Sequence, residues 1–143
     1  MNGNVEFLNY IHQNSGMGTD TIKQLIGICK DEEYKKVLHS QLAEYKMIHS
    51  ASNQKIKQFN KESKDINVFS KVSSYLMINI NTLLDKSPSH ISEMLIQGST
   101  MGIIDITKKL KEYPNADKEI LDLASRLLKL EQDNVDQCKR YLQ

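Results

Sequence analysis

The chain has 143 residues, enough for one contiguous hydrophobic core without metals or disulfides as obligatory staples, and is read as a single domain spanning 1–143. Its 19 basic and 18 acidic residues nearly cancel and the lysines are spread along the chain, which removes the electrostatic footprint of a dedicated nucleic-acid binder. The N-terminal MNGNVEFLNYIHQ lacks a basic region followed by an apolar one, and no run approaches about 18 consecutive apolar residues, so no membrane association is expected and the chain is read as cytoplasmic.

Helical periodicity dominates the pattern, and no stretch of alternating apolar and polar residues bounded by turn residues is found. The first segment runs from Val5 to Cys29, with Leu8, Ile11, Ser15, Gly18, Ile22, Leu25 and Cys29 recurring at spacings of three and four, the stripe of a bundle helix. Asp31, Glu32 and Glu33 give an acidic start to a second segment, which carries Val37, Leu38, Leu42, Tyr45, Ile48, Ser52, Ile56 and Phe59 and extends to about Glu62. Two antiparallel helices joined by a short turn follow from this spacing. The polar stretch 60–67 reads as a connection, and Val68, Val72, Tyr75, Leu76, Ile80 and Leu83 mark a further helical stretch over 66–85.

Ser87 is a natural N-cap and Pro88 suits the first helical turn, so a helix begins here and continues through Ile91, Met94, Leu95, Met101, Ile104 and Leu110. It stops at Tyr113 and Pro114, because proline lacks the amide hydrogen that a helix interior needs. The last helix opens at Asn115 or Ala116 and carries Ile120, Leu123, Leu127, Glu131, Asn134, Cys138 and Tyr141. Four of these segments are about 24 to 32 residues long, roughly 35 to 48 Å at about 1.5 Å per residue, so each can run the length of one bundle.

If neighbours alternate in direction, their midpoints place Ser15, Gly16, Gly18, Glu44, Gly98, Gly102 and Glu131 at one height. A carboxylate inside a bundle needs a hydrogen-bond partner, a cation or a water, which makes Glu44 and Glu131 the leading candidates for a site. Gly98 and Gly102, four residues apart, either let two helices approach closely or leave room for an ion or a small ligand, and Asp105 is a third candidate oxygen donor. The four histidines, His12, His39, His49 and His90, show no i, i+4 pair that would form one helical metal site; His49 and His12 lie where either can lean towards the core. Cys29 and Cys138 have no zinc-type spacing and read as buried thiols, with a thiol pair as the alternative if the first and last helices run parallel. Nucleotide-binding and serine-hydrolase motifs are absent, and no catalytic residue is assigned. The abundance of lysine, isoleucine and asparagine is in keeping with an AT-rich bacterial genome.

Two helical hairpins with inward carboxylates on the second and last helices resemble the ferritin-like superfamily, an up-and-down four-helix bundle, here with an extra helix in the long connection. In metal-binding members those two helices carry Glu-x-x-His and the other two each supply a Glu. The matching positions here are Glu44-Tyr45-Lys46-Met47 and Glu131-Gln132-Asp133-Asn134, with both histidines replaced. The first helix offers Gln13 or Ser15 and the fourth segment Gln97, Ser99 or Asp105 at the partner positions. The expectation is therefore a non-catalytic all-helical bundle without a cofactor, acting by self-association or protein association. The alternative is an iron- or manganese-binding redox or storage protein in which Glu44, Glu131 and Asp105, with His49 or His12, hold the metal.

Overall fold

A computed structural model describes residues 3–59 and 83–143, in which four α-helices account for the regular structure: α1 (Asn4–Ile28), α2 (Glu32–Gln58), α3 (Pro88–Glu112) and α4 (Lys118–Lys139). Among the described residues there is no strand. The expected additional helix at 66–85 falls almost entirely outside the described residues, as does the expected extension of the second segment to Glu62.

Local chemistry sets the helix ends. The Asp31 carboxylate accepts a hydrogen bond from the Tyr34 amide at 2.9 Å and caps α2, and the Ser87 hydroxyl accepts one from the His90 amide at 3.2 Å ahead of α3, with Pro88 in the first turn. α3 stops at Tyr113, before Pro114. The last helix begins two to three residues later than the pattern predicts, because residues 114–117 close a tight turn, with the Ala116 amide donating to the Tyr113 carbonyl at 3.2 Å, before Asp117 takes the N-cap position.

Contacts between helix ends fix the topology. Asn4 Oδ1 accepts from the Asp117 amide at 2.8 Å, so α1 and α4 begin at the same end of the bundle. Tyr34, in the first turn of α2, reaches Ser92 near the start of α3 at 2.8 Å and Cys138 near the end of α4 at 3.8 Å. Hence α2 is antiparallel to α4 and starts at the same end as α3. The hairpins α1–α2 and α3–α4 are closely packed, α2 lies along α4, and the connection between α2 and α3 leads from one end of the bundle to the other.

The core is made by Phe7, Leu8, Ile11, Ile22 and Leu25 of α1, Tyr34, Leu38 and Ile48 of α2, Ile91 and Ile106 of α3, and Ile120 and Leu127 of α4, all fully buried. On α1 the burial exceeds the predicted stripe: every residue from Phe7 to Thr19 is buried, polar ones included. Four of its polar side chains, His12, Asn14, Ser15 and Thr19, bond locally or to α2. Ser15 donates to the Ile11 carbonyl at 2.7 Å and Thr19 to the Ser15 carbonyl at 2.9 Å, while Asn14 donates to the Tyr10 hydroxyl at 3.3 Å. Backbone acceptors one turn back allow Ser and Thr to be buried inside a helix. On α3 the inward face carries Leu95, Gly98, Ser99, Gly102 and Ile106, whereas Met101 and Ile104, expected on the core stripe, are exposed. No helix among the described residues is long and apolar enough to cross a membrane.

Candidate functional site

Glu131 lies at mid-bundle on the inner face of α4 and is 3% exposed. The Tyr45 hydroxyl, projecting from α2, donates a hydrogen bond to its Oε1, and Ser99 of α3 lines the space beside the carboxyl. Asn134, one turn along α4, donates from Nδ2 to the Tyr45 oxygen at 3.2 Å. Burial pushes the Glu131 carboxyl up to about 7, against the opposing pull of Tyr45 and Ser99, so the group is neutral on the acid side of neutrality. Burial also holds the Tyr45 phenol well above its ordinary range, reinforced by the adjacent carboxyl. Tyr10 of α1 is raised for the same reasons, burial first, then the charges of Asp105 and Glu131.

The glycines at this level are explained by these two side chains. A Cβ on Gly18 would collide with the Tyr45 ring, and one on Gly102 would sit 2.9 Å from Glu131 Oε2. α1 and α3 therefore dispense with side chains where α2 and α4 insert a phenol ring and a carboxyl. The remaining space, lined by Gly18, Thr21, Gly98, Ser99, Tyr45 and Glu131, is a cavity of about 10 Å³, the size of a single water site.

The predicted carboxylate pair is not formed. Glu44 is half-buried at the outer edge of the α2–α4 seam, where its two oxygens accept from Arg126 Nε at 2.7 Å and Nη2 at 2.8 Å in a bidentate ion pair. This hydrogen bonding lowers the Glu44 carboxyl below its usual range. The residue that α2 turns inward is its neighbour Tyr45. Met47 is 55% exposed and lies against Arg126, its sulfur 3.6 Å from Nη2. Asp105 is partly buried on α3 and its carboxyl is raised by that burial, with Lys108 and Lys109 pulling the other way.

His49 is likewise away from the carboxyl. Its ring stacks on His12 with centroids 4.1 Å apart and an interplanar angle of 17°. Because the His12 carbonyl can only accept, the 3.0 Å contact requires His49 Nδ1 to carry the proton. The Ser52 hydroxyl donates to the His49 carbonyl at 2.8 Å, so its oxygen accepts from His12 Nδ1 at 3.2 Å, and both imidazoles are held as Nδ1–H tautomers. Gly16 makes room for this stack, since a Cβ there would lie 3.0 Å from His49 Cε1. Burial, then the neighbouring His49, lowers the His12 pKa.

Among the described residues, no group of three or more His, Cys, Asp and Glu is placed to hold a metal ion. Glu131, Glu44, Asp105 and His49 occupy four separate environments. The cysteines are free and buried at one end of the bundle, around Tyr34; the Cys138 sulfur lies 3.8 Å from the Tyr34 hydroxyl and accepts from Gln41 Nε2 at 3.8 Å, and burial raises its thiol pKa. Tyr45, Arg126 and Gln41 have structural roles that the residue pattern did not assign. Tyr45 stood on the predicted stripe as an ordinary packing residue, and its position opposite Glu131 depends on the relative height of two helices distant in sequence.

The local chemistry is that of a polar layer inside an apolar bundle: a carboxyl bonded to a phenol and the phenol to an amide, with a hydroxyl beside them. Compared with protein-family models, with curated proteins and with solved structures, the chain matches none.

Proposed function

We infer that this chain is a ferritin-like bundle in which the mid-bundle carboxyl pins the helices in register, and that it acts in the cytoplasm by association with itself or with a protein partner, without catalysing a reaction. The observation that carries this reading is the Tyr45–Glu131 bond. A side-chain donor from the opposing helix takes the carboxyl oxygen that a metal would need, and the adjoining cavity has the size of one water. A single buried polar contact of this kind fixes which residues face each other across a helix pair. The parallel start of α2 and α3, with a connection leading from end to end, supports the ferritin-like assignment. Met101 and Ile104, one turn apart on α3 and 40% and 42% exposed, are apolar groups suited to association.

The test combines element analysis of protein purified without chelator, anaerobic iron and manganese titration, and light scattering of the eluted protein. The reading expects no stoichiometric metal and a mass above the monomer that falls when Met101 and Ile104 are both replaced by lysine, or, for a monomer, a bound protein lost in the same variant. Stoichiometric metal that disappears in Glu131→Ala would replace it with the carboxylate redox or storage reading.

A further inference from the structure

The two stacked imidazoles between α1 and α2 are both committed on the Nδ1 side. His12 Nδ1–H is bonded to Ser52 Oγ at 3.2 Å, and His49 Nδ1–H to the His12 carbonyl at 3.0 Å, with Ser15 Oγ 3.4 Å away. A proton added on acidification therefore goes to Nε2 of one ring and leaves both hydrogen bonds standing. One imidazolium on a neutral ring keeps every contact in place. Two are incompatible with the stack: the centroids are 4.1 Å apart and the planes 17° from parallel, so the second charge faces the first at contact distance, beside a His12 ring that is only 9% exposed. No carboxylate or ammonium among the described residues of any of the four helices bears on His12 to offset that repulsion; its charged neighbour is His49 alone, and the groups around the pair are the neutral Ser15, Gly16 and Ser52.

The two rings are not equally held. His12 is buried, and its partner Ser52 is itself fixed to the His49 carbonyl at 2.8 Å. His49 is half-buried, and its ring rests in the space that Gly16 leaves by lacking a Cβ. Rotation of the His49 side chain gives up its bond to the His12 carbonyl without moving either helix, whereas displacing His12 would break the Ser52 bond inside the helix pair.

We propose that His49 is an acid-released latch on α1, stacked on His12 while the pair carries at most one proton and swung away from it once both rings are charged. The device does not rest on the association reading, which concerns other surfaces.

Long-range proton–nitrogen correlation and NOE spectra of the full chain, labelled in histidine and taken from about pH 8 down to about pH 4.5, test this. At the upper end both rings should show the Nδ1–H tautomer and an NOE to each other. Protons should then enter in two steps more than about one pH unit apart. The inter-ring NOE should survive the first step and vanish at the second, while the core methyl groups of Ile22 and Ile48 keep their folded dispersion. In His12→Asn, His49 should titrate in a single step and keep its contact with Gly16 throughout. The proposal is overturned if either ring carries its proton on Nε2 at the upper end, if the NOE persists with both rings charged, if it is lost only together with the core dispersion, or if His49 leaves Gly16 in His12→Asn as it does in the wild type.

Discussion

The Tyr45 hydroxyl hydrogen-bonds Glu131 across the seam between the first and second hairpins, 86 residues apart in sequence, and both side chains are buried. Burial of that carboxyl, against the pull of Tyr45, gives a stability that depends on pH in an unusual direction.

The Glu131 pKa is raised from 4.5 to about 7 on folding, so the folded state holds a proton between these values that the unfolded chain has lost. The stabilising contribution is complete below 4.5 and is lost as pH rises through about 7. The shift corresponds to about 3 kcal/mol. Urea unfolding at pH 5 and pH 8 should show the loss at the higher pH, and Glu131→Gln, which keeps the shape and removes the proton, should abolish most of that difference. Equal pH dependence in variant and wild type would contradict the assignment.

The His12–His49 stack acts in the opposite sense. The His12 pKa is lowered from 6.5, so the unfolded chain takes up protons before the folded one, and stability falls as pH drops below that value. Together with Glu131 this places the stability maximum on the mildly acidic side of neutrality. In His12→Asn stability below pH 6.5 should fall less than in the wild type, with the Glu131-dependent loss that is complete just above pH 7 unchanged, as read from melting temperatures across the range.

The glycines are predicted to split by environment. Gly18→Ala sets a methyl group into the Tyr45 ring and Gly102→Ala one against the Glu131 carboxyl, and each should destabilise by roughly 1–3 kcal/mol in chemical denaturation. At Gly27, in the last turn of α1, nothing lies within 4 Å of an added Cβ, and alanine there should stabilise by roughly 0.5–1 kcal/mol through helix propensity.

The Glu44–Arg126 pair is partly solvated, with side-chain exposures of 32% and 39%. A double-mutant cycle with Glu44→Gln and Arg126→Gln should give a coupling of at most about 1 kcal/mol, shrinking in high salt. Its contribution disappears as pH falls through the lowered Glu44 pKa. Insensitivity to salt would mean that the pair is more enclosed than its exposure indicates.

Features written in local spacing were legible before any coordinates. The acidic start at Asp31, the Ser87 cap, the stop at Tyr113–Pro114 and the buried position of Glu131 depend on residues within a turn or two of one another. The inward face of α2 was not. Glu44 and Tyr45 are adjacent, about 100° apart around the helix axis, and the choice between them depends on how α2 is rotated against α4. Arg126, the partner that holds Glu44 at the surface, is 82 residues away. On α3 the same ambiguity assigned Met101 and Ile104 to the core, whereas the helix instead turns Gly98, Gly102 and Ile106 inward, with Gly102 against the Glu131 carboxyl where a Cβ would crowd it. The all-round burial of α1 between Phe7 and Thr19 was also hidden, since its histidine, asparagine, serine and threonine side chains mimic a solvated face.

The crossing of Tyr45 to Glu131 binds the two hairpins into one cooperative unit. Separating them would break this bond together with the apolar packing of α2 on α4 around it, so the hairpins have little to gain by opening singly. Backbone amides near the middle of α2 and α4 should therefore exchange with solvent deuterium together, at the rate of global unfolding.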